Sequence, residues 1–231
     1  MAIAFSTIGS LTFISNSTSV SRPTVSDGDL MLLLVDVSYS DADLTPPAGW
    51  TAAASVDNEG VFETELRLYW KIAASEPSSY TVQISGQGGS NNIGSAIIWS
   101  YTGVHATTPV DVSATTRQTS SATAATCPSV TTTQAGTLLI CIAGVNNTTA
   151  VTFTPPGGMT ERFDGRHASA GQAIGIFEEA IASAGATGTR VATCSASNTF
   201  QLISIALAPS GGGGGGGQPP RSMHLSRLMR A

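Results

Sequence analysis

Gly28-Asp-Leu-Met-Leu-Leu-Leu34 returns 108 residues later as Gly136-Thr-Leu-Leu-Ile-Cys-Ile142, and this recurrence decides how the rest of the chain is read. Each is an apolar run entered from a Gly-containing turn, the pattern of a buried strand and too short for a membrane span. Further matches follow in the same order. Thr45-Pro-Pro-Ala-Gly-Trp-Thr51 returns as Thr154-Pro-Pro-Gly-Gly-Met-Thr160, identical at five of seven positions. Residues 66–74 correspond to 173–181, and Ile97-Ile-Trp-Ser-Tyr101 corresponds to Ile203-Ser-Ile-Ala-Leu207. The offset drifts only from 109 to 106, so the sequence reads as two tandem pseudo-repeats, at about 11–104 and 119–208.

Around these matches the signals are those of strands. Leu66-Arg-Leu-Tyr-Trp-Lys-Ile72 alternates, with Leu66, Leu68, Trp70 and Ile72 on one face and Arg67, Tyr69 and Lys71 on the other. Tyr80-Thr-Val-Gln-Ile84 alternates as well, and residues 93–101 give a long strand. Residues 177–184 read as the end of a strand, with a helical turn as the alternative. Gly, Pro, Asn and Ser clusters separate the strands, and no capped segment of 3.6 period competes with them. Thr-Pro-Pro-x-Gly-x-Thr reads as scaffold: the prolines fix an extended entry and the glycine permits a tight turn, after which Trp50 or Met159 plugs the core.

The expected fold is all-β, a jelly-roll-like β-sandwich over residues 1–209 to which both repeats contribute. A single sandwich is favoured over two stacked ones, because each half offers few clear strands and an unclosed sheet leaves costly edges.

Composition narrows the function. Only 11% of residues are charged, against roughly a quarter in an ordinary domain. Lys71 is the sole lysine, and Arg221, Arg227 and Arg230 crowd the last eleven residues, leaving a body near −8 and a tail of +3. An acidic body argues against nucleic-acid binding, and no apolar run argues for a membrane span. Met1-Ala-Ile-Ala-Phe5 lacks a positive n-region, so no secretory signal is expected. Cys127, Cys141 and Cys194 are read as small buried thiols, a Cys127–Cys194 bridge being the alternative.

No residue is assigned a catalytic, cofactor-binding or metal-binding role. His105, His167 and His224 lack partners at ligand spacing. Asp27-Gly-Asp29 and Asp41-Ala-Asp43 resemble calcium ligands, but lack the further ligands of a calcium loop. Glu63 with Glu65, or Glu178 with Glu179, are the pairs a glycosidase would use, although strand positions make them simpler as solvent-facing residues. Gly86-Gln-Gly-Gly89 lacks the lysine of a phosphate loop, and no Gly-x-Ser-x-Gly elbow is present. Asn16-Ser-Thr18, Asn146-Asn-Thr148 and Asn147-Thr-Thr149 are glycosylation matches of the kind a Thr-rich chain makes by chance. Trp50 and Trp99 are the candidates for stacking against a carbohydrate.

Beyond residue 209 the pattern stops. Residues 210–220 form a flexible Gly/Pro tether whose seven glycines span roughly 15 Å on average as a random coil. Residues 221–231 follow as a basic, apolar peptide too short for a stable isolated helix. Its Arg221, Met223, Leu225, Arg227, Leu228, Met229 and Arg230 are the expected partner-docking residues.

The Gly-Asp-Leu strand, the Pro-Ala-Gly-Trp-Thr51 turn, Leu68-Tyr-Trp-Lys-Ile-Ala73 with Glu76-Pro77 beyond, and Ile98-Trp-Ser-Tyr-Thr-Gly-Val104 together resemble β-sandwich structural proteins of tailed-bacteriophage virions. The resemblance covers roughly residues 25–208. It implies a non-enzymatic tail, appendage or capsid-surface component, made in the host cytoplasm and incorporated into the virion. The partners it implies are other virion proteins and further copies of the chain. The rival expectation is a lectin-like module that binds host-surface carbohydrate.

Overall fold

A computed structural model describes residues 1–38, 43–57, 64–85, 93–146 and 150–211. The expectations placed on Asp41 of the Asp41–Asp43 pair, Glu63, the Gly86–Gly89 stretch, Asn147, His224 and the docking residues of the arm fall outside them. Among the described residues there is no helix, and every paired strand is antiparallel.

The first half builds a large sheet and a small one. The large sheet uses β1 (Ala4–Ile8), β2 (Thr12–Ser15), β4 (Leu30–Val37), β6 (Thr51–Asp57), β7 (Glu65–Ile72) and β9 (Ile93–Thr102). Their order is β1-β9-β4-β7-β6, with β2 also on β9. The small sheet sets β3 (Ser17–Ser21), β8 (Ser79–Ser85) and β5 (Asp43–Thr45) in the order β3-β8-β5. The second half draws its large sheet from β10 (Val110–Cys127), β12 (Thr137–Asn146), β13 (Phe153–Thr154), β14 (Thr160–Arg166), β15 (Gln172–Ile181) and β17 (Arg190–Leu207). The order there is β10-β17-β12-β15-β14, with β13 also on β17, while β11 (Thr131–Thr132) pairs with β16 (Gly185–Ala186).

The two large sheets face each other across one shared core. Leu30, Leu32, Leu34, Leu66, Leu68, Ile97, Trp99 and Tyr101 meet Leu138, Ile140, Ile142, Ile174, Ile176, Ile203, Ile205 and Leu207. Each large sheet also buries its other face. Met31, Leu33, Val35 and Tyr69 pack under the small sheet against Val20, Val82 and Ile84. Leu139, Cys141 and Phe177 pack under the far ends of β10 and β17, which supply Ala125, Cys127, Ala192 and Cys194. This is why β4 is apolar at nearly every position: a strand covered on both faces loses the alternation of a half-exposed one. Tyr69, expected on the outward face of β7, is accordingly buried. The cysteines are free, buried thiols, so the Cys127–Cys194 bridge is not made.

Irregularities recur in parallel places. β1 shifts register on β9 between Phe5 and Thr7, and β10 shifts on β17 between Val110 and Val112. β6 shifts on β7 between Ala52 and Ala54, and β14 shifts on β15 between Glu161 and Phe163. The two Pro-Pro turns also coincide. The Trp50 amide donates to the Pro47 carbonyl (3.3 Å) and that of Met159 to Pro156 (3.0 Å). Gly49 and Gly158 hold φ of 84° and 85°, which a tight turn of this kind needs at its third residue.

The registers correct one alignment. Leu30 lies opposite Ile72 and Leu138 opposite Ala180, so Leu66 corresponds to Ile174 and not to Ala173. A one-residue slip reverses every side chain on a strand. Ala173 indeed faces the outer core, whereas Leu66 and Ile174 share the inner one.

Candidate functional site

The tryptophans proposed for sugar stacking present no open ring face. Trp99 is 0% exposed in the shared core, and Trp50 is 8% exposed, held edge-on against Tyr80 at 5.1 Å. Trp99 is drawn inward by its place on β9 and Trp50 by the turn that drops it under the small sheet, so the stacking expectation is corrected: they are core.

The other candidates are structural in their contacts. Asp27 accepts from the Ser75 amide (2.7 Å), tying its turn to the one after β7, and Asp29 accepts from the Ser26 amide (2.9 Å) within its own turn. Glu65 is engaged by Arg67 and by Ser55. The ring of His105 accepts from the Thr108 amide, and His167 lies against Phe13. Glu178 and Glu179 point to opposite faces of β15, Glu178 pairing with Arg162 and Glu179 with Arg190. No cluster of three His, Cys, Asp or Glu suited to a metal occurs among the described residues.

A different set of side chains converges at one corner between the halves. The β14 bulge turns Arg162 toward β1, where its guanidinium lies 4.5 Å from the Phe5 ring centre and pairs with Glu178. Bulges commonly re-aim a side chain in this way. Glu178 also accepts a hydrogen bond of 2.7 Å from the Tyr101 hydroxyl, which crosses from the other half. Phe5 stands edge-on to Tyr101 at 5.8 Å. Burial and the adjacent Glu178 carboxylate both push the Tyr101 phenol well up, so it stays a donor. The hydrogen bond to Glu178 raises the Arg162 guanidinium further still.

This corner has a counterpart that lacks the charges. By register, Arg162, Glu178, Tyr101 and Phe5 correspond to Ala53, Trp70, Leu207 and Val110, all of which pack on the shared core. The second corner therefore solves the same packing problem with apolar groups. Replacing a buried ion pair by apolar residues is often neutral or stabilising, so packing alone does not require charge at the first corner.

The charged corner opens onto a groove of about 610 Å³ bounded by Ile3, Phe5, Gly158, Thr160, Arg162 and Glu178. It adjoins a second groove of about 410 Å³ that runs past Met1, Gly136, Ile181 and Pro209 to Gly211. The root of the arm is fixed there. The Ser210 amide donates to Gly103 (2.7 Å), its carbonyl accepts from the Met1 amine (3.1 Å), and Val104 bridges to Pro209. A Cβ on Gly103, which has φ of 73°, would collide with the Ala2 backbone, so glycine here lets the first residues and the root of the arm meet. Sequence reading missed Arg162, although Thr160-Glu-Arg162 beside Thr51-Ala-Ala53 carried the signal: a charge gained within a matched turn. Compared with protein-family models, curated proteins and solved structures, the chain matches none.

Proposed function

We propose that this chain is a non-enzymatic structural protein of the tailed-phage virion type, a rigid β body that carries a docking arm. The observation that carries the reading is the arm's root. Residue 210 is tied to Gly103 and Met1, and both halves are locked together by one core, so the arm leaves the block from one fixed point and whatever it grips is leashed to that point. Arg221, Arg227 and Arg230 would meet acidic or carbonyl groups of a neighbouring protein, while Met223, Leu225, Leu228 and Met229 bury apolar surface there. Neighbouring virion proteins, including further copies of this chain, are the proposed partners, and the assembled virion is the proposed location. No catalytic role is assigned to any residue.

The body is best read as one jelly-roll-like sandwich to which two tandem pseudo-repeats contribute. In the first half the opening strand β1 pairs with the closing strand β9, and β3 pairs with β8. Pairing of early with late strands in this way supports the jelly-roll reading. In the second half β10 and β17 each span both levels as single long strands, and the paired register shifts described above support common descent.

Deleting residues 211–231 tests the arm. The truncated body is expected to melt at the temperature of the full chain yet fail to enter particles. Truncated protein that is incorporated normally would remove the docking role.

A further inference from the structure

Asp36 is the least explained side chain in the fold. It is 1% exposed on the inner face of β4, in step with Leu30, Leu32 and Leu34, and neither carboxyl oxygen has a hydrogen-bond partner. Its strand neighbours are Leu66 on β7 and Ser95 on β9. Across the joint it faces the backbone of Gly144 on β12, where a Cβ would lie 3.5 Å from Oδ2 and 3.2 Å from a Leu66 methyl. Gly144 in turn lies beside Gln201 on β17 and Ile174 on β15.

None of these neighbours is titratable or cationic. On the flanking strands, Glu65 lies on the other face with Arg67, and Tyr101 and Glu178 lie at the opposite end of the joint with Arg162. The hydrogen-bond inventory points the same way. The Ser95 hydroxyl, which can donate or accept, and the Gln201 carbonyl oxygen, which only accepts, are also buried without a partner. An ionised Asp36 would bring two acceptor oxygens to a place whose one spare donor is the Ser95 hydroxyl, whereas a neutral acid supplies an O–H of its own.

We propose that Asp36 is a proton-dependent latch between the two halves: as a neutral acid it lets β4 close on β12, and its ionisation loosens that end of the joint. Burial pushes its pKa well above the usual carboxylate value, in keeping with that placement. A folded-state value above the unfolded one means that the native state binds the extra proton. Stability from this group is therefore complete below the unfolded value, near 3.9 for a free aspartate, and is lost as pH rises through the folded value.

Two measurements on the full chain decide the matter. Through-bond assignment of the Asp36 carboxyl carbon by NMR is expected to report a protonated acid at neutral pH. The melting temperature of the wild type is expected to fall from mildly acidic to alkaline pH more steeply than that of Asp36→Asn, which keeps the shape of the neutral acid and cannot ionise. An ionised Asp36 at neutral pH, or parallel pH profiles for the two proteins, would overturn the proposal. Should Asp36→Asn fail to fold, the carboxyl resonance of the wild type decides alone.

Discussion

Arg162 and Ala53 occupy the same step of two bulged edge strands, and the contrast between them is the sharpest residue-level fact in the molecule. Ala53 needs nothing beyond packing, its carbonyl accepting a hydrogen bond from the Ser113 hydroxyl (3.0 Å). Arg162 instead neutralises Glu178, which is 6% exposed and shared with Tyr101. Removing the cation alone leaves a buried carboxylate uncompensated, which is costly, although the partial exposure of Arg162 moderates the loss. Arg162→Met should therefore destabilise the body by about 1–3 kcal/mol in urea unfolding. In a Tyr101→Phe background, which leaves no buried hydroxyl unpaired, the double variant Arg162→Met with Glu178→Leu should recover most of that loss. A double variant no more stable than the single one would show that the charges are needed for folding and would weaken the groove as a candidate site.

Among the elements, the long edge strand β10 carries the clearest dynamic signature. Its register against β17 slips between Gln118 and Ala122 and again between Ala122 and Ala124, in a stretch whose Thr and Ser side chains are largely exposed. Few buried contacts hold those amides, so their exchange should outpace that of Leu139–Val145 in β12 by on the order of a hundredfold. Equal protection in hydrogen-exchange mass spectrometry would contradict that reading of the slips. The same strand marks where sequence legibility ended. β4, β7, β9, β12 and β15 announce themselves because covered faces demand Leu, Ile and Val. Residues 110–127 are mostly Thr, Ser and Ala, a composition shared with loops, and only the pairing with β17 makes them a strand. The turns were legible through Pro-Pro-x-Gly, whose chemistry is local. The step between Leu66 and Ile174 was not, since Ala and Ile both suit a strand covered on two faces. The charged corner lay beyond reach for a related reason: Phe5, Tyr101, Arg162 and Glu178 come from four strands and meet only when the halves do.

For the molecule as a whole, the consequence of the layering is mutual dependence. Each large sheet presents a face of Leu, Ile, Trp and Tyr that is covered only by the other half. Exposed, such a face would far exceed the apolar patches tolerated on soluble monomers. The rigid block proposed to carry the arm exists only while that face is covered, so the account stands or falls on the shared core. Splitting the chain after Ala106 tests it most directly, by following unfolding of each fragment alone and of the two expressed together. The prediction is that neither fragment alone shows a cooperative melt, while together they form a one-to-one complex that does. Two fragments that each fold cooperatively and fail to associate would contradict it.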